Sequence, residues 1–384
     1  MSVQEIVAQA CTRTASLVGG LHVLAIQDTT SLRDDGDQRS IQAHPTIAVD
    51  AENGALLGLI HADLLNRKGG RKAQHQVVRF DEKESRRWLD GTQASAGLVA
   101  AGAIGVTMVA DAESDIYELF ALKPNNVDLV VRAGQDRLLE QEDHLLFEHL
   151  AAQPEAGRFE IDLAATPGRR ARRANLAVRF CRPSIKRPRR RPGSHMPDVP
   201  ATISMNLVEV REINPPEGTV PAHWRLLTTH AVDSFAKARW IAGLYRRRWL
   251  IEELFRTLKT RGFDIERVSI AEEPFEKLAA AAIIAAISVM QLVQERDGAA
   301  NRPLADVFEP DEQDALEAVS KRLEGKTAKQ KNPHLKGSLA YAAWVCARLG
   351  GWTGYYGKSG PVVMLRGLHQ FRAIQLGWSL ARNV

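Results

Sequence analysis

The 384-residue sequence predicts an α/β protein: a mixed sheet flanked by helices, interrupted by a β-rich insertion and followed by a helical C-terminal region. Three observations predict it. Apolar strand-like runs alternate with helical patterns up to about residue 150. From about 155 to 225, short strand-like runs joined by basic or proline-rich turns replace that alternation. From about 245 onward, helical periodicity dominates.

The elements follow in order. HVLAIQDTTSL (22–32) reads as a buried strand ending in polar residues. PTIAVDAENGALLGLIHADLL reads as two strands joined at Asn53-Gly54, a hairpin pattern. The stretch 81–105 looks mainly helical, with a break near Gly91. VTMVADAESDIYELFALKP gives a strand, an acidic end and a helix, and VDLVVRAG (127–134) gives another strand. FEIDLAA, ANLAVRF, ISMNLVEVREI and WRLLTTH are strand-like, and a charged helix follows over 245–259. The expected divisions are a short N-terminal segment (1–20), a first core part (21–154), a basic β-rich insertion (155–225), a second core part (226–300) and a helical region (301–384). GKTAKQKNPHLKG (325–337) is a polar, lysine-rich connector, and FRAIQLGWSLARNV suits a terminal helix.

Composition excludes several classes. Hydrophobic content of 45% and charged content of 25% suit an ordinary globular protein. The net charge of +5 is small, so the distribution of basic residues matters more than their sum. Cys11, Cys181 and Cys346 are far apart and form no CxxC, which argues against a disulfide scaffold or zinc site and fits a reducing compartment. The start of the chain carries Glu5 and no continuous apolar run, unlike a signal peptide. LAAAAIIAAISVM (278–290) is too short to span a bilayer and reads as a buried helix. A soluble cytoplasmic protein is expected.

Chemistry concentrates in YRRRWLIEELFRTLK (245–259). At about 100° per residue, Tyr245, Arg248, Glu252 and Lys259 share a stripe about 60° wide. One reading is a solvated ladder, in which an Arg248–Glu252 pair contributes about 0.3–0.5 kcal/mol. The other is a carboxylate held among cations that bind phosphate. Asp28 and Asp111 are each the first acid after an apolar strand. If those strands are neighbours, both carboxylates leave the same sheet edge, and Glu252 makes a third oxygen ligand. Three such ligands suit Mg²⁺ or Mn²⁺. Two ions about 4 Å apart can activate a water and stabilise a leaving phosphodiester oxygen. Against this stands the common use of Asp in helix caps and turns.

GRRARRANLAVRFCRPSIKRPRRRPG (168–193) holds eleven Arg or Lys residues and no acid. Arg169, Arg170, Arg172 and Arg173 are candidate phosphate contacts, and a solvated basic loop is the rival reading. Arg132 and Arg137 add cations near the end of VDLVVRAG. Trp224 suits either a core position or stacking on an unpaired base.

These residues resemble the DDE transposases of the IS4 group, in the branch that includes the Tn5 transposase. LAIQDTTSL is similar to the segment with the first catalytic Asp, here Asp28. VADAESDIYELF is similar to the second, here Asp111. YRRRWLIEELFRTLKTRGFDIE matches the signature Tyr-x2-Arg-x3-Glu-x6-Lys on Tyr245, Arg248, Glu252 and Lys259. The resemblance spans about residues 20–375. It implies an RNase H-like domain interrupted by a β insertion. It implies Mg²⁺-dependent cleavage at transposon inverted-repeat ends, transfer of a 3′-hydroxyl into target DNA, and a homodimer on paired ends. Asp28, Asp111 and Glu252 become catalytic metal ligands. Tyr245, Arg248, Lys259 and Trp224 become DNA contacts, with Trp224 at the position linked to hairpin formation. Two departures stand out. The second block reads Asp111-Ala112-Glu113 where the family has Asp-Arg-Glu, and only 27 residues precede Asp28 where the family carries an end-recognition domain. A metal-dependent nuclease without strand transfer, or a truncated inactive inhibitor of transposition, are the alternative functions.

Overall fold

The structure is a computed structural model that describes residues 1–34, 39–68, 83–140, 145–163, 171–189, 198–355 and 357–382. Its centre is a ten-stranded mixed sheet. The first strands are β1 (His22–Gln27), β2 (Thr30–Asp34), β3 (Arg39–Asp50) and β4 (Leu56–Lys68). β3 carries β4 along one edge and both β1 and β2 along the other, all antiparallel. β1 then pairs in parallel with β5 (Gly105–Ala110), and β5 in parallel with β6 (Asp128–Arg132). The Asn53-Gly54 turn between β3 and β4 forms as expected, with Gly54 at φ +80°.

Beyond β6 the sheet continues antiparallel through β12 (His223–Thr228), β11 (Asn206–Glu212), β8 (Arg172–Cys181) and β7 (Gly157–Leu163). The strands of the 155–225 segment thus extend the same sheet. A two-stranded ribbon, β9 (Ser184–Lys186) with β10 (Thr202–Ser204), stands apart from it.

Alternation along the strands sends side chains into two cores. Leu24, Ile26, Val109 and Val130 face one side. They belong to the cluster of α6 (Phe235–Arg246), α7 (Trp249–Thr260) and α8 (Glu272–Glu295). Val23, Ala25, Met108 and Ala110 face the other, with α2 (Arg86–Ser95), α4 (Tyr117–Leu122) and α5 (Leu146–Ala151). Burial on both faces explains why β1 and β5 read as unbroken apolar runs. α1 (Val3–Ala15), opened by a Ser2–Glu5 capping box, packs on β4 and α8. A third core joins the end of α8 to α9 (Gln313–Leu323), α10 (Leu339–Leu349) and α11 (Pro361–Arg382). α8 is long and apolar enough to cross a bilayer, yet 61% of its most apolar window is buried inside the fold, as a core helix would be.

Two local expectations are corrected. The expected break near Gly91 falls instead at Ala96, between α2 and α3 (Gly97–Ala100). Gly91 lies within α2 because the helix presses on the sheet there: an added Cβ would stand 2.6 Å from Thr46 Oγ1 and 2.7 Å from Gln27 Oε1. The segment 245–259 is not one helix. α6 ends at Arg246 and α7 starts at Trp249. Between them the amides of Arg247, Arg248, Leu250 and Ile251 each bond three residues back, which tightens the turn. Arg247 fixes this junction by donating to the Glu52 carbonyl at 2.6 Å, beside Gly54.

Candidate active site

Asp28 sits where β1 passes into β2. The register runs from Gln27 opposite Thr46 to Thr30 opposite Ala43, which leaves Asp28 opposite Pro45 and Thr29 opposite His44. Pro45 has no backbone N–H to donate, so the ladder is interrupted beside Asp28. Asp28 Oδ1 accepts from the Thr29 amide at 2.8 Å.

Asp111 follows β5. Ile26 lies opposite Val109 in the parallel pair, so two residues further on Asp28 and Asp111 leave the sheet at the same edge. Asp111 caps a short 3₁₀ turn and accepts from the Glu113 amide at 3.0 Å. Glu252 comes from the first turn of α7. Asp28, Asp111 and Glu252 line one cleft of about 350 Å³, together with Thr29, Thr30, Phe255, Arg256 and Lys259.

Arg248 ties this cleft together. Its Nη1 donates to Asp28 Oδ2 at 2.7 Å and its Nη2 to Glu252 Oε1 at 3.2 Å. The i,i+4 pair expected on the helix therefore exists, and the same guanidinium reaches a strand end more than 200 residues earlier in the chain. Burial pushes the Asp28 carboxyl up to about 6; Arg248 opposes the rise, while Asp111 and Glu252 add to it. Lys259 pairs with Glu266 at 2.9 Å and Arg256 with Glu253 at 2.5 Å on the cleft wall.

Tyr245 is 6% exposed, at the end of α6, its ring 6.0 Å from that of half-buried Trp224. Burial pushes its hydroxyl pKa up, with Arg248 and Arg132 opposing. Arg132 is exposed at the end of β6 and reaches the His223 carbonyl.

Other cations expected at DNA are engaged elsewhere. Arg137 is 5% exposed and grips Asp115 through Nε at 3.1 Å and Nη2 at 2.5 Å, while Asp115 also accepts from the amides of Gly134 and Gln135. That geometry makes Arg137 an internal clasp and corrects its reading as a surface contact. Arg172 forms a two-pronged pair with Glu212 at 2.9 and 2.8 Å. Arg173 is exposed and pairs with Glu160 at 2.7 Å. Arg169 and Arg170 lie outside the described residues, as does most of the basic run after Asn66.

The sequence reading missed Arg87. From α2 it donates through Nε to Thr29 Oγ1 at 3.1 Å and reaches Glu113 at 3.5 Å, linking the two turns that carry Asp28 and Asp111. Below it Thr29 meets His44 at 2.9 Å, and His44 stacks edge-on against Trp88 at 4.5 Å. Burial holds His44 well below the usual imidazole value. No local pattern announces these residues, because their partners come from other elements. Arg256 carried a signal: it stands four residues after Glu252 and shares its helix face.

Among the described residues no group of three His, Cys, Asp or Glu side chains is already drawn together as a metal cage. The donor chemistry nevertheless fits a hard divalent cation: three carboxylates face one cleft.

Residues 103–289 match the family described as transposase DDE domain. The match supports a DDE transposase. It contains Asp111 and Glu252, and the mixed sheet with its C-terminal helices is consistent with an RNase H-like DDE domain. Asp28 lies before the matched segment; the parallel β1–β5 pair brings it beside Asp111, and Arg248 links it to Glu252.

Proposed function

We propose that this chain is a DDE transposase of the IS4 group that cleaves DNA at transposon ends and transfers the resulting 3′-hydroxyl into target DNA. One observation carries the reading: Asp28, Asp111 and Glu252, from three distant segments, converge on a single cleft with Arg248, Arg256 and Lys259 around it. Asp28, Asp111 and Glu252 would hold two Mg²⁺ ions, for which Mn²⁺ can substitute. Bound there, the ions would supply Lewis-acid activation of an attacking oxygen and stabilisation of a leaving one.

The chain's own residues do the rest. Arg248 restrains Asp28 and Glu252, so two of the three carboxylates are oriented at the cleft before substrate arrives. Lys259 and Arg256, on the cleft wall, offset phosphate charge along an incoming strand. Tyr245 packs against Trp224 beside Arg248, and exposed Arg132 would add a DNA contact outside the cleft lining. Double-stranded DNA is the substrate, and a homodimer on paired ends is the expected working form.

The test is incubation of the chain with a supercoiled plasmid carrying the flanking inverted repeat, with Mg²⁺ or Mn²⁺. Site-specific nicks plus strand-joined products, both lost in Glu252→Ala, are expected. Nicks without joined products would replace the proposal with a nuclease. DNA binding without any nick would replace it with an inactive DNA-binding inhibitor.

A further inference from the structure

We propose that a pocket in the C-terminal helical region, separate from the carboxylate cleft, binds a nucleoside phosphate, either free or at the end of a DNA single strand. The pocket lies where the end of α8, the lysine-rich connector, α10 and the loop before α11 meet. Its volume is about 340 Å³, at the small end of the roughly 300–1,000 Å³ typical of ligand sites.

Its walls combine two chemistries. Trp344 and Trp352 supply indole surface. Trp344 is 6% exposed and forms a buried floor, with the Arg348 guanidinium 5.6 Å from its ring. Trp352 is half-buried, and its Nε1–H donates to the Gly357 carbonyl at 3.1 Å, which fixes the ring's orientation. A fixed, partly open indole suits base stacking, since little side-chain freedom remains to be lost.

The rim is cationic. Arg296, Lys329, Lys331 and Lys358 face a single carboxylate, Asp297. Lys358 already neutralises that carboxylate at 2.6 Å. Arg296 gives Nη1 to the Ser359 carbonyl at 2.9 Å, and its enclosed Nε, 3.9 Å from Asp297 Oδ2, has no hydrogen-bond partner among the described residues. Lys329 and Lys331 are exposed and have no acidic partner among the described residues. Uncompensated cations around an apolar aromatic floor select a planar group carrying an anion, and a nucleotide has both parts.

The connector 325–337 thus gains a role that the carboxylate cleft does not need. The pocket's ligand does not depend on whether that cleft cuts DNA.

Equilibrium dialysis of the full chain against labelled dAMP and against a 5′-phosphorylated five-nucleotide single strand tests this. Saturable binding that weakens about tenfold in Lys331→Glu and in Trp352→Ala, but not in Lys259→Glu, is expected. Lys331 is exposed, so its variant keeps the test valid if Trp352→Ala unfolds. Binding of dAMP alone identifies a free nucleotide as the source; preference for the oligonucleotide identifies a strand end. No saturable binding of either ligand would overturn the proposal. So would binding that only Lys259→Glu weakens, or competition by inorganic phosphate as effective as by dAMP.

Discussion

Arg248 holds Asp28 at 2.7 Å and Glu252 at 3.2 Å, so one guanidinium joins a strand end to the first turn of α7. It does so from the tight turn between two helices, where its backbone is fixed by bonds to Tyr245 and Ile251. Burial lowers the Arg248 pKa, but Tyr245 and the surrounding carboxylates outweigh it and the net value is raised, so the residue stays charged. Arg248 thus orders two of the three carboxylates, while Arg87 links the turns that carry Asp28 and Asp111.

Arg248→Ala should therefore cost both stability and turnover. It leaves two carboxylates facing each other with no organic cation between them. Loss of one partner of a largely buried pair costs about 3 kcal/mol, less here because Glu252 is partly open to water. Urea unfolding should register a loss on the order of 1–3 kcal/mol. Arg248→Lys should recover only part of it, because an ammonium cannot fork to both acids.

Asp28 makes the metal-free protein pH-sensitive. Its folded value of about 6 lies above the ordinary 3.8, so the folded state holds the proton more tightly. Stability from this group falls as pH rises from about 4 to 6, and above that the full cost, on the order of 1–3 kcal/mol, is present. Asp28→Asn should lack that fall. In EDTA, its melting temperature relative to wild type should rise between pH 4 and pH 7. Adding Mg²⁺ at pH 8 should raise the wild-type melting temperature and leave the variant's nearly unchanged.

Gly91→Ala should destabilise, against helix propensity. Ala is favoured over Gly by about 1 kcal/mol within a helix. The added methyl would, however, stand 2.6 Å from Thr46 Oγ1 and force α2 off the sheet. A net loss of about 1–3 kcal/mol in thermal or urea unfolding is expected.

Arg137 and Lys259 should separate structural from DNA-facing cations. Arg137→Ala leaves Asp115 buried without its cation, held by the Gly134 and Gln135 amides, a loss of about 3 kcal/mol, with the salt dependence of DNA binding unchanged in whatever protein stays folded. Lys259→Ala should leave unfolding nearly unaltered. Its log affinity against log salt plot should flatten by about one unit.

Much of this fold can be read in the sequence where the determinants are local. The apolar runs of β1 and β5, the Asn53-Gly54 hairpin and the buried helix around Leu278–Met290 declare themselves by pattern. Asp28 and Asp111 stand out because each ends such a run. What could not be read depends on contacts between distant segments. The helix break at Arg247 and Arg248 carries no helix-breaking residue, and its tie to the Glu52 carbonyl comes from a distant segment. Gly91 signals a break by type, yet serves close packing. Arg137 counts as a surface cation until Asp115 is seen to bury it. Arg87 bridges two turns from a third element, and no spacing along the chain encodes that.

The most direct test of the central claim is Asp28→Asn, because Asp28 meets Asp111 through the β1–β5 pairing and Glu252 through Arg248. The substitution keeps the side chain's shape and its acceptor for the Thr29 amide. The measurement is cleavage of a 5′-labelled duplex carrying the flanking inverted repeat, in Mg²⁺, alongside DNA affinity. The three-carboxylate site predicts that cleavage disappears while most of the affinity remains. Cleavage at the wild-type rate would contradict it and remove Asp28 from the site.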